Sequence, residues 1–338
     1  MSWSSWWTAL TLPNKLAMSQ LSHATCEVAR VHFLHAALDV GLLEALSRPR
    51  TRQELVDALE AKRPELLDVL LDLGLALGEL SVANGRFRLE GRLAAVVAEP
   101  EGDAFAAMIQ AQVTYYNAVY RQLGTRIRGG ELSDDLERIG PLVARISTMT
   151  EPFMTGFFRK LVGERGPIRV LDVGCGAGAH LKRCAALNPQ LEGQGLEMDE
   201  SVVRQARQNL ERWELSGRFT VVAGDVREPP ESLEDSFDLI YLVSMIYYVP
   251  NEQRSDLFRR LRERLTSGGS LAIASTCQAG GKDIWAANLD TATRSMTGCA
   301  SLPDVDELSE QLREAGFHRL DTSRLIPRSS FCAVVGHR

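Results

Sequence analysis

The run Ile168-Arg169-Val170-Leu171-Asp172, followed at once by Val173-Gly174-Cys175-Gly176-Ala177-Gly178, constrains this chain more than any other segment. The first five residues read as a buried strand. Three glycines in five positions then permit a tight turn into a helix from about Ala179, and they let backbone approach a ligand without Cβ clashes. A tight turn with no ligand would use the same residues, so the loop by itself settles nothing and its context has to decide.

That context is a regular alternation. Strand-like runs at 168–173, 192–197, 218–223, 237–243, 269–275, 315–320 and 330–336 are separated by amphipathic helical stretches. Such alternation predicts an α/β domain with a doubly wound, Rossmann-like, mostly parallel seven-stranded sheet. Ligands of such sheets bind beyond the carboxyl ends of the strands, where strand order reverses.

Several of those ends carry suitable groups. Glu197 closes the second strand, with Met198 after it, and its carboxylate can accept hydrogen bonds from ribose hydroxyls. Asp225 closes the third, placed to accept from an adenine amino group with Val226 against the ring. The fourth delivers Val243, Ser244 and Met245 to the same edge. A dinucleotide-binding domain remains a rival, because Ala179 completes a G-x-G-x-x-A pattern from Gly174.

From Val170 to about Leu271 the run resembles class I S-adenosylmethionine-dependent methyltransferases. The resemblance implies that Gly174, Cys175, Gly176 and Gly178 border the amino-acid end of S-adenosylmethionine, and that Glu197 and Met198 meet its ribose. It implies that Asp225 and Val226 hold adenine, with Val243 and Ser244 completing the edge. Asp172 would order the loop or meet the cofactor's ammonium group. The whole chain is similar to small-molecule O-methyltransferases with an N-terminal winged-helix dimerisation domain. Leu38-Asp39-Val40-Gly41-Leu42-Leu43-Glu44-Ala45-Leu46 is similar to an early helix of that domain, and Ser329–Gly336 fits its closing strand.

At 338 residues the chain exceeds one compact core, which predicts more than one domain. We expect a helical winged-helix-like dimerisation domain at 1–100, linking helices at 101–165, and the cofactor-binding domain at 166–338. Val28, Val31, Leu34, Leu38, Leu42 and Leu46 predict one helix with a buried face. Thr51-Arg52-Gln53-Glu54 is a capping box that opens a second helix through Leu55 and Leu59. A third helix follows Pro64, and the Asn84-Gly85 pair predicts a hairpin across 80–89. Three helices and a hairpin suggest DNA binding, yet the third helix is apolar and acidic, with nothing to contact bases or phosphates. It reads instead as a packing or dimerisation element.

Net charge is −6, which offers no general attraction for phosphate backbones. We therefore expect a small-molecule substrate and no nucleic acid. The six cysteines are scattered with no metal-ligand spacing, so they read as reduced thiols of a cytoplasmic protein with no metal. No apolar run reaches the ~20 residues of a membrane span. The arm Met1–Met18, with Trp3, Trp6 and Trp7, reads as packing on its own chain or on a partner subunit of a homodimer.

The catalytic base is the least legible element. The related family commonly places His just after the fourth strand, and here Tyr247 stands there. A phenol with an ordinary pKa near ~10 is a poor base at neutral pH. Glu252, Asp283 and Asp290 are other candidates for the base. His180 lies at a helix start and reads as packing. The acceptor could also arrive already nucleophilic, or could be carbon or nitrogen. Aromatics at Tyr115, Tyr116, Tyr120, Phe153, Tyr248 and Trp285 could line a substrate pocket, and Tyr247 is the leading substrate-facing residue. Asp283 to Pro303 resembles the family's variable, substrate-facing insert. The leading reading is O-methylation of a hydroxyl or carboxylate on a secondary-metabolite-like molecule. C- or N-methylation and a non-catalytic cofactor-binding regulator are the alternatives.

Overall fold

The computed structural model describes residues 13–338. The Trp-rich segment containing Trp3, Trp6 and Trp7 lies outside the described residues. The chain divides into two compact units. One runs to Arg121 and includes Arg138–Thr148; the other comprises Gln122–Glu137 and Met149–Arg338.

In the first unit, the long apolar periodicity produces a helix at Lys15–Asp39, then a short one at Leu42–Ala45. The break falls at Gly41, whose φ of +76° is a left-handed conformation that suits glycine. Leu34, Leu42 and Leu46 are buried as expected, whereas Val28 is exposed. The predicted capping box is present: Thr51 accepts from the Glu54 N–H, and the Glu54 carboxylate accepts from the Thr51 N–H. The third helix occupies Pro64–Ala76 and buries Leu67, Leu71 and Gly74. Strands β1 (Arg50–Thr51), β2 (Leu80–Ala83) and β3 (Arg86–Leu89) form a small sheet in the order β1-β3-β2. Asn84 and Gly85 both take positive φ at the β2–β3 turn, as an Asn-Gly hairpin requires. Within the stretch expected to hold linking helices, the helices Asp103–Ala111 and Asn117–Ile127 are joined by a π-type turn at Gln112–Tyr116.

The second unit is built on a seven-stranded sheet. Its strands are β4 (Ile168–Val173), β5 (Leu191–Glu197), β6 (Phe219–Ala223), β7 (Phe237–Val243), β8 (Leu265–Thr276), β9 (Arg319–Arg324) and β10 (Phe331–His337). They lie in the order β6-β5-β4-β7-β8-β10-β9. β4 to β8 are mutually parallel, while β10 runs antiparallel to both β8 and β9. The expected strand at 315–320 sits later, at Arg319–Arg324. Ala315 instead closes the helix Val305–Glu314, and its N–H bonds back to the Gln311 carbonyl.

Alternation along the central strands fills both faces. Val170, Leu239 and Tyr241 pack on one side with Phe158, Leu181 and Cys184, while Leu171, Val173, Ile240 and Leu242 pack on the other with Leu257, Leu261 and Phe317. The chain goes from β4 outward to β5 and β6, then returns to the other side of β4 as β7. Strand order therefore reverses between β4 and β7, which places a ligand crevice beyond their carboxyl ends. Among the described residues, no helix is long and apolar enough to cross a membrane.

Candidate functional site

The glycine loop leaves β4 and is held by the end of β5. The N–H groups of Gly174 and Cys175 donate to the Leu196 carbonyl at 2.8 and 3.1 Å. Glu197 Oε2 accepts from the Gly176 N–H at 3.1 Å, and its Oε1 accepts from the N–H groups of Met198 and Asp199. Gly174, Gly176 and Gly178 all have positive φ. A Cβ on Gly174 would lie 3.2 Å from Met245, whereas one on Gly176 would project into open space. The loop therefore presents bare backbone at its centre. Cys175 has a different place from the glycines: its side chain is buried against Gly195, where a Cβ would meet its sulfur at 2.6 Å.

Asp172, the penultimate residue of β4, lies next to this loop at 1% exposure. Neither carboxyl oxygen completes a hydrogen bond. Burial drives its pKa well above the usual carboxylate range; the neighbouring Tyr241 hydroxyl partly opposes this, and the Glu197 charge adds to it. Tyr241 is the register partner of Asp172 on β7 and is itself fully buried. In the sequence Tyr241 is simply one residue of the strand run 237–243, and only pairing across the β4–β7 switch brings it to Asp172.

Asp225 is not a free acceptor. Its carboxylate is forked by the Arg227 guanidinium and also takes the Arg227 N–H at 2.8 Å, which holds its pKa below the usual range. Val226 is buried beside it and Met198 is exposed. Ser244 follows Val243 with a φ of +52°, a strained value for a non-glycine residue, and donates its N–H to Ala274.

A cavity of about 410 Å³ opens among Arg227, Tyr248, Pro250, Asn251, Glu252, Gly298, Cys299 and Ala300. This size falls in the range of small-molecule pockets, and the segments lining it follow β6, β7 and the helix Ile284–Thr293. Tyr247 is buried at 6% exposure, its ring 4.8 Å from that of Tyr248, and its carbonyl accepts from the Ala300 N–H. Burial pushes the Tyr248 phenol up to about 12, which leaves it less ionised at neutral pH and so less available as a base.

Two of the other base candidates are committed elsewhere. Asp283 caps the helix Ile284–Thr293 and also accepts from the Ser330 N–H. Asp290 accepts from the Leu302 N–H and pairs with Arg294. Glu252 alone of the three lines the cavity. His180 packs against Phe158, and burial lowers its pKa to about 4.

The aromatic candidates are scattered in character. Tyr115 is buried and pairs edge-on with Tyr116, whose phenol is pushed up to about 12 by burial, while Tyr120 is exposed. All three belong to the first unit. In the second unit, Phe153 is exposed and Trp285 is 61% exposed at the start of the helix Ile284–Thr293.

Arg254 is a further site residue that the sequence did not announce, since nothing distinguishes it among the arginines of its helix. It is fully buried and donates to the carbonyls of Val249 and Ser301 and to the Asn251 side chain. One guanidinium thus ties together two segments that wall the cavity.

Residues 170–269 match the family described as a methyltransferase domain. Over 311 residues the chain is 28% identical to demethylspheroidene O-methyltransferase of Cereibacter sphaeroides, covering 85% of this chain and 78% of that one. Two solved structures share the fold. Mitomycin 7-O-methyltransferase is 19% identical with a TM-score of 0.77, covering 96% of this chain and 98% of that one. Human N-acetylserotonin methyltransferase, solved with S-adenosylmethionine, is 16% identical with a TM-score of 0.76, covering 97% and 99%. The chain carries a methyltransferase domain and is an S-adenosylmethionine-dependent methyltransferase.

Removing the Arg254 clamp tests how the cavity is held. Arg254→Ala leaves three acceptors without their donor and should lower unfolding free energy by about 2–4 kcal/mol in urea titrations. Arg254→Lys should recover only a minority of that loss. An unchanged midpoint in both variants would show that the clamp does not support these segments.

Proposed function

We propose that the chain methylates a hydroxyl or carboxylate oxygen of a small, secondary-metabolite-like molecule, with the cofactor seated along the carboxyl ends of β4, β5 and β6. The observation that carries the placement is the loop itself: bare backbone at Gly176 facing open space, and next to it a buried carboxyl with no partner. An ammonium group is the chemistry that such a carboxyl lacks. Gly174, Gly176, Gly178 and the Cys175 backbone would border the amino-acid end, and Glu197 and Met198 the ribose. Asp225, Val226, Val243 and Ser244 would complete the edge towards adenine.

When bound, the cofactor supplies a sulfonium methyl group open to in-line attack. The chain's own contribution is to hold the acceptor oxygen against that methyl and to exclude water. Tyr247 and Tyr248 would form an aromatic wall beside the cavity, with Phe153 and Trp285 as further substrate-facing candidates. No side chain at the Tyr247 position supplies an effective base, which favours an acceptor with an acidic hydroxyl or a carboxylate. Oxygen acceptors are also what the names of the related demethylspheroidene and 3-hydroxy-5-methyl-1-naphthoate enzymes specify. Transfer to nitrogen is the second reading, favoured by the likeness over 309 residues to an N,N-dimethyltransferase of Streptomyces rimosus.

Incubation with methyl-labelled cofactor and a panel of phenols, carboxylic acids, amines and activated aromatic carbons tests the reading. We expect label on oxygen, located by NMR of the product; label only on nitrogen or carbon would overturn the O-methyl assignment. With an accepted substrate, Tyr247→Phe should lower kcat by less than about tenfold, whereas loss of a true base costs roughly 10²–10⁴.

The expected winged-helix dimerisation domain at 1–100 and linking helices at 101–165 belong to the same proposal, as does a homodimeric, cytoplasmic protein. Leu66, Val69 and Leu73 are exposed along the helix Pro64–Ala76, and Leu16, Leu21 and Val28 along Lys15–Asp39. Exposed apolar rows of this kind are characteristic of interaction surfaces. All six cysteines are free thiols, in keeping with a reducing compartment. Val69→Glu should shift the mass measured by light scattering from dimer towards monomer. A wild-type monomer at micromolar concentration would contradict the dimer.

A further inference from the structure

The pair Asp172–Tyr241 is unusual even for a buried site. The carboxyl and the phenol sit side by side at the β4–β7 switch, both fully buried, yet Asp172 Oδ1, Asp172 Oδ2 and Tyr241 Oη all lack a hydrogen bond of ordinary geometry. A buried carboxylate with neither cation nor donor is among the most costly groups a core can hold, and it takes up a proton instead.

Of the surrounding groups only the Tyr241 hydroxyl offers any relief, and that relief is partial. From β5 comes the Glu197 carboxylate, from the glycine loop the Cys175 thiol, and from the helix Ala179–Leu187 the Cys184 thiol. From β7 comes Tyr241 itself. His180, on that same helix, is held neutral at ordinary pH by burial. Arg183, a half-buried cation on the same helix, is paired with Glu151 and bonded to Thr155. No cation among the described residues acts on Asp172.

We infer that Asp172 carries a proton in the empty enzyme and gives it up when the cofactor's ammonium end settles at the Gly174–Gly178 loop, so that cofactor binding is coupled to proton release. Tyr241 is the positioning residue of this pair, its hydroxyl placed to donate to the carboxylate once that forms. The balance is simple. The carboxyl O–H bond breaks, the proton passes to solvent, and the new negative charge is matched by the ammonium that displaced it. Burial raises the neighbouring thiols and the Tyr241 phenol far above neutrality, so none of them can supply the proton instead. The inference rests on the cofactor placement proposed above. It adds a consequence for pH: affinity should tighten by up to about tenfold per pH unit wherever the empty carboxyl is protonated and the filled one ionised.

Calorimetric titration with S-adenosylmethionine at pH 6.5, in two buffers of different ionisation enthalpy, tests this. At that pH the ligand's own amino group is already protonated. The difference in observed heat then counts protons from the protein. We expect release approaching one proton for wild type, none for Asp172→Asn, and continued release with several-fold weaker binding for Tyr241→Phe. Should Asp172→Asn fail to fold, the infrared difference spectrum of wild type decides, through loss of a carboxyl C=O band on cofactor addition. Binding with no proton released, or equal release from Asp172→Asn, overturns the coupling while leaving the cofactor site intact. No binding at all by folded wild type overturns both.

Discussion

The short set of hydrogen bonds between the glycine loop and the end of β5 is the constraint on which the rest of the site depends. Leu196 offers one carbonyl to two successive loop N–H groups, and Glu197 spends one carboxyl oxygen on a third. Backbone that would otherwise be a flexible glycine turn is thereby fixed in a left-handed, open form. The loop can present N–H groups and bare Cα surface only because another strand end holds it from behind. Glu197 therefore shapes the loop, and the proposed placement gives its remaining lone pair to a ribose.

Asp172 depends on the same constraint. With the loop fixed next to it and Tyr241 beside it, the carboxyl has no room to reach solvent and no cation to pair with. Stability alone would favour a neutral side chain at such a place. On the proposed placement, an acid kept there at a cost is half of an interaction that a bound ammonium completes. The fold thus stores an unmet electrostatic demand at the strand-order switch, where the architecture already opens a crevice.

Much of this was legible in the sequence, because local rules and tertiary placement agree there. The Gly174–Gly178 turn, the Thr51–Glu54 box and the Asn84-Gly85 hairpin are each specified within a few residues, and each formed as its chemistry dictates. The sheet followed from periodicity. What could not be read depends on partners distant in sequence. Asp225 reads as a free acceptor until Arg227 is seen wrapped around it. Arg254 looks like one more arginine of a charged helix until the Ser301 carbonyl is found on it. The break at Gly41 was misread because Leu42 and Leu46 continue the apolar spacing across a residue that leaves the helix.

The central claim is that the glycine loop seats S-adenosylmethionine. Calorimetry with purified protein, alongside Gly176→Arg and Glu197→Ala, addresses it directly. A side chain at Gly176 would enter the open space in front of the loop, and loss of the Glu197 carboxylate would remove one of the three hydrogen bonds that hold the loop to β5. Clear binding by wild type, abolished in Gly176→Arg and strongly weakened in Glu197→Ala, is the expected result. Wild-type affinity retained in both variants, with all three proteins folded, would contradict it.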